Sequence, residues 1–134
     1  MNATKITVLN KLNRLDSSTG LDVWYKTILN DIPYKKTRVT SIEGSVVSMG
    51  ESYTILIPFL DNYLPYEKWK VNPSSGFTLN QNDLIILQEV TEQPTPSNII
   101  TIQNSYKPYV CNIRSIFEVE PKYSVNYQFK VEGI

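Results

Sequence analysis

Ser52 to Leu60 reads SYTILIPFL. Tyr53, Ile55, Ile57 and Phe59 recur at every second position, the period of a strand with one face in a core. Pro58 has no backbone N–H to give to a ladder, so the end of this strand is expected at a sheet edge or a bulge.

The same period appears on both sides of this segment. Thr4 to Leu12 (TKITVLNKL) alternates Ile6 and Val8 with polar neighbours, as in a half-buried strand. The cluster Asp16-Ser17-Ser18-Thr19-Gly20 should reverse the chain into Leu21–Ile32, making a hairpin. Val39–Val47 reads as a strand broken at Gly44, and Met49-Gly50-Glu51 as a turn. Asn82-Asp83 suits a turn whose side chains bond nearby backbone amides. Leu84–Val90 (LIILQEV) and Val110–Val119 then read as strands. Tyr123–Val131 alternates Tyr123, Val125, Tyr127, Phe129 and Val131 against polar partners. Two long loops interrupt this order, at 61–76 and 91–109. One short helix could open near Pro96–Ile100, capped by Ser97 or Asn98. The expectation is a single all-β domain over residues 1–134. It would be a small β-barrel or sandwich of six to eight strands with at most one short helix.

Composition agrees. The 134 residues include 14 Ile, 11 Val and 11 Thr against one Ala, Ala3, which disfavours a mostly helical chain. Lys plus Arg and Asp plus Glu are 13 each, so no global field draws the chain to nucleic acid or anionic membrane. There is no His, which removes His-based triads and HExxH zinc sites. Cys111 is the single cysteine; it cannot form an internal disulfide and reads as a small buried apolar residue. No apolar run approaches a membrane span, and the first residues are too polar for a signal peptide. The expectation is a soluble protein made in a cytosol.

Chemistry-bearing patterns are sparse. Glu118 and Glu120 read as solvated strand-end charges, and Asp61-Asn62 and Asn82-Asp83 as turns rather than calcium ligands. The five glycines form no phosphate loop. No catalytic residue, metal site or cofactor is expected, and an enzyme is the least supported class. Two surface features stand out. Lys35, Lys36 and Arg38 form the one basic cluster, beside Asp31 and Glu43; an ordinary solvated loop is the plain reading, phosphate contact the sharper one. Tyr63, Tyr66 and Trp69 share one loop and form a candidate interface, so replacing Trp69 by Ala is expected to impair assembly more than folding.

The order of segments resembles a known family. DSSTGLDVWYKTIL (16–29), SYTILIPF (52–59), FTLNQNDLIILQEV (77–90), Ile113 to Ile116 and a terminal Tyr-rich strand closing on Val-Glu-Gly look like the small head-completion, or stopper, proteins of tailed phages of low-GC Gram-positive bacteria. Ile55, Ile57 and Pro58 match the "apolar-x-apolar-Pro" strand, and Asp83 takes the place of the turn Asp. The family form of that turn is Gly-Asp, whereas here it is Asn82-Asp83. The resemblance implies a virion protein of the neck, made in the host cytoplasm. It would form a six- or twelve-fold ring, with portal or adaptor above and tail protein below. Inserted loops would join neighbours or line the DNA channel, where Lys35, Lys36 and Arg38 would contact packaged DNA non-specifically. A tail terminator, tail-completion or minor capsid protein fits the same pattern. A carbohydrate- or single-strand-binding β module remains a separate reading, motivated by the aromatic content and the basic cluster.

Overall fold

The structure is a computed structural model that describes residues 2–13, 15–16, 20–43, 46–58, 60, 62–107, 109–119 and 128–133; within 2–3, 38–43, 46–51 and 118–119 and at 128 it describes the backbone alone. Six antiparallel strands close into a barrel: β1 (Asn2–Leu12), β2 (Val23–Glu43), β3 (Val46–Pro58), β4 (Leu84–Ile86), β5 (Val110–Val119) and β6 (Gln128–Gly133). Their order around the barrel is β1-β2-β3-β6-β5-β4. β1–β2, β2–β3 and β5–β6 are hairpin neighbours, while β4 lies across the barrel between β1 and β5. The all-β expectation and the barrel closure hold.

The core follows strand alternation. Ile6, Val8, Ile55, Ile57, Ile85, Cys111, Phe129 and Val131 are all buried in one interior cluster. A second cluster joins Leu9, Leu84 and Ile86 to Ile99 and Ile102 of a helix, α1 (Ile99–Tyr106), on the outside of the barrel. β4 is therefore buried on both faces. Burial pushes the Cys111 thiol up to about 12, as befits an inert core residue. Asn98 stands at the N-cap of α1 but makes no side-chain cap bond. Its Oδ1 instead accepts from Thr95 N at 2.7 Å.

Several elements differ from the sequence expectation. β1 is not half-buried: Thr7 and Asn10 are as fully buried as Ile6 and Val8. The segment Met49-Gly50-Glu51 is not a turn but runs through β3, with Gly50 paired to Val39; the chain reverses between Glu43 and Val46. Gly44 and the residues 120–127, including Tyr123, Val125 and Tyr127, lie outside the described residues. β4 stops at Ile86 instead of continuing to Val90. Beyond it the Thr7 hydroxyl replaces the missing ladder, donating to Gln88 O at 2.7 Å and accepting from Val90 N at 2.9 Å. The loop expected at 61–76 contains one helical turn (Tyr66–Trp69) and a 3₁₀ turn at Pro73–Ser75.

Two irregularities shift the inward-facing phase. On β2 the odd-numbered Leu29 is buried before Asp31, and the even-numbered Ile32 after it. Asp31 has φ 54°, and the β1–β2 register slips between Thr4 and Ile6. On β5 the register slips again between Ile113 and Ser115, so Ile113 and Ile116 both pack on the interior. β2 pairs with β1 through Tyr34 and with β3 from Tyr34 onward. Among the described pairings, Thr37–Glu43 and Val46–Ser52 pair only with each other. They form a two-stranded ribbon of seven residue pairs, about 20 Å long at strand rise.

Two substitutions of the same kind should act in opposite directions. Thr7→Val strands Gln88 O and Val90 N and is expected to cost about 1–3 kcal/mol. Thr78 Oγ1 is buried with no hydrogen-bond partner, so Thr78→Val should be neutral or stabilising by up to about 1 kcal/mol. Urea unfolding midpoints at constant m-value check both.

Candidate functional site

The loop between β3 and β4 crosses one side of the barrel, and its aromatics decide how it sits. The Tyr66–Trp69 turn is a single helical turn entered from Pro65, whose fixed φ suits a helix start. Trp69 is fully buried. Its ring meets Tyr25 of β2 edge-on at 5.6 Å and lies 5.8 Å from Tyr66, and its indole N–H donates to Gly76 O at 3.2 Å. Tyr63 is half-buried, with its ring 5.7 Å from Phe77 and 4.5 Å from Phe129 of the barrel interior. Tyr66 is also half-buried; its hydroxyl donates to Asp16 Oδ2 at 2.7 Å and accepts from Asn13 N at 3.4 Å.

The expectation that Trp69 offers interface area is therefore corrected. Its surface is consumed within the chain, because a half-apolar loop of this length can bury its largest ring against β2 and satisfy the indole on its own backbone. Tyr63 and Tyr66 keep partial exposure, but each already has an internal partner. What the sequence did not signal is the clamp between this loop and the β1–β2 turn. Lys70 Nζ lies 3.7 Å from Asp16 and 2.8 Å from Glu67. Burial, then donation to Asp16, hold the Tyr66 phenol above its usual range. Around this clamp Leu15, Leu21 and Val71 are exposed, beside a depression lined by Leu15, Asp16 and Asp22.

The basic residues are also placed differently from the loop expected for them. Lys35, Lys36 and Arg38 lie within β2, paired in register with Thr54, Tyr53 and Glu51. Lys35 and Lys36 are exposed, and strand alternation sends them to opposite faces. The Arg38 side chain lies outside the described residues. The three sit at the root of the β2–β3 ribbon, at the far end of the barrel from the β1–β2 turn.

A third polar group of residues is internal. Asn10 of β1 is fully buried, and its amide pairs with the backbone of Thr78: Nδ2 donates to Thr78 O at 2.6 Å and Oδ1 accepts from Thr78 N at 3.2 Å. Nδ2 also donates to Asp83 Oδ2 at 2.9 Å, and Asp83 Oδ1 accepts from Lys11 N at 3.2 Å. The Asp83 side chain thus bonds β1, far away in sequence, rather than the nearby amides expected of a turn Asp. Burial pushes its pKa up to about 6, against the lowering pull of those hydrogen bonds. Among the described residues no cluster of three or more His, Cys, Asp or Glu side chains could hold a metal ion, and no helix is long and apolar enough to cross a membrane.

Two outcomes follow from this geometry. Trp69→Ala should destabilise the isolated chain by about 3–5 kcal/mol, whereas Tyr66→Phe should cost only about 1 kcal/mol; thermal melts of the two variants read the difference. For Asp83 the folded pKa lies above the ordinary value of 3.8. The proton is therefore held more tightly when folded. The resulting stabilisation is complete below the unfolded pKa and is lost as pH rises through about 6. Asp83→Asn should remove this component, on the order of 2 kcal/mol, seen as a flatter difference in unfolding free energy between pH 4 and pH 7.

Comparison with curated proteins and with solved structures finds no match for this chain. A family profile does match, over residues 1–133. The barrel described here is thus the fold of a member of DUF6751, a family of unknown function, to which this chain belongs.

Proposed function

We propose that this chain is a structural subunit of a tailed-phage virion at the head–tail junction. In this reading it forms a ring below the portal or adaptor, closes the DNA-filled head and offers the surface on which the tail docks. It works by binding, without bond chemistry. The observation that carries the reading is the β2–β3 ribbon, whose outer seven pairs have no described partner beyond each other. A two-stranded ribbon is marginal in water by itself. Edges that no described strand covers favour contact with another chain, and repeated heterologous contacts close into a ring when the rotation permits. The resemblance of the 16–29, 52–59 and 77–90 segments to head-completion proteins supplies the setting. Lys35 and Lys36 at the ribbon root would then stand near the channel, where exposed cations suit DNA phosphates.

The test combines location with a ribbon deletion. Electron microscopy of intact particles should show the protein as a ring at the neck, and mass spectrometry of purified virions should contain it. Replacing residues 38–51 with Asn-Gly, a two-residue hairpin turn, should leave the barrel melting within a few degrees of the parent. The same change should abolish incorporation into particles. A ring at the far end of the tail tube would assign a terminator role instead, and absence from virions would end the proposal.

A further inference from the structure

The first half of β2 carries an edge that no described strand covers. Val23 to Pro33 pairs in register with β1 alone, while β3 begins its pairing at Tyr34. A cleft of about 310 Å³ lies against this edge. Tyr25, Lys26 and Thr27 line it together. Side chains alternate along a strand, so three consecutive residues share one cavity only where that cavity abuts the main chain. The facing wall is also a run of consecutive residues, Pro73 to Gly76, and ends in extended backbone at Gly76. The end of this wall is packed closely on its own loop: a methyl group on Gly76 would overlap Asn62 O. The cleft is therefore a slot between two stretches of main chain, with the amide side chains of Asn62 and Gln93 completing its lining.

Its charge has one sign. Lys26 is the one ionisable cation or carboxylate among the lining residues, and it is half-buried. The ammonium is held in place by donation to Val90 O at 3.1 Å and Thr91 O at 3.4 Å. An ammonium has three donors, so one N–H is left to point elsewhere.

We propose that this slot takes a short extended segment of a partner polypeptide, uncharged or acidic, which adds as a strand to the β2 edge. Main-chain hydrogen bonds to β2 would supply the affinity, and Lys26 would select the sign of the charge. The frontage of three residues limits the inserted part to about 10 Å of strand. The proposal does not rest on the virion reading and can fail without it.

The experiment uses the full-length ¹⁵N-labelled protein and four probes: acetyl-Thr-Val-Asp-Val-Thr-amide, its counterpart with Lys in place of Asp, a version of the Asp peptide N-methylated at all five residues, and maltotriose. The Asp peptide should shift the backbone amides of Tyr25–Thr27 and Ser74–Gly76. It should bind about fivefold tighter than the Lys peptide, the worth of one partly exposed ion pair. The N-methylated peptide, lacking strand donors, should lose binding. Lys26→Gln should erase the preference between Asp and Lys peptides while leaving peptide binding. The proposal is overturned if none of the peptides shifts these amides at about 5 mM, a concentration that detects even millimolar affinity. Equal binding of the N-methylated peptide overturns it too, as does a response to maltotriose alone, which would make the slot a saccharide site.

Discussion

Two buried polar side chains on β1 hold together what the strand ladder alone does not. The Asn10 amide offers one donor and one acceptor to the backbone of Thr78, as a peptide group on a neighbouring strand would. The Thr7 hydroxyl does the same for Gln88 O and Val90 N, just past the end of β4. Buried backbone groups need partners, because leaving one unpaired costs a sizeable part of a domain's net stability. Without these two side chains, the segments entering and leaving β4 would have to continue as regular strand or move out to water. With them, β4 is only three residues long, and the chain is free to turn away on both sides. One departure leads to the Tyr66–Trp69 turn and the other to the external helix.

The consequences reach the surface. Because the chain leaves β4 early, residues 87–109 can lay Ile99 and Ile102 over Leu84 and Ile86, covering the outer face of the barrel there. β2 changes partner at Tyr34, so its first half serves β1 and its second half serves β3. That division produces both features on which function is argued. The second half runs beyond the barrel as a ribbon. The first half keeps an edge that no described strand covers, beside the Pro73–Gly76 wall.

The aromatic loop illustrates how a surface reading can invert. Tyr63, Tyr66 and Trp69 share a polar, turn-rich segment that looks as though it should project. Folded, it lies against the barrel with Trp69 under Tyr25 and Tyr63 over Phe129. Among the described residues, the large apolar side chains left exposed at this end are Leu15, Leu21 and Val71, and none of them is aromatic.

Local sequence determined the fold class and much of the core. A chain rich in Ile, Val and Thr with one Ala has few other options, and period-two alternation correctly marked Ile55, Ile57, Phe129 and Val131 as buried. Burial of Cys111 was legible for the same reason. The candidate sites were less so. Lys35, Lys36 and Arg38 were visible as a cluster but not as part of a 21-residue strand, since strand length depends on which partner is available at each point. Asp83 was visible as a turn residue, but its partners Asn10 and Lys11 lie more than 70 positions away. Only tertiary structure could decide those pairings, the phase shifts at Asp31 and Arg114, and the inward placement of Trp69. Each depends on contacts between distant segments, whereas periodicity reports only what neighbouring residues along one strand can share.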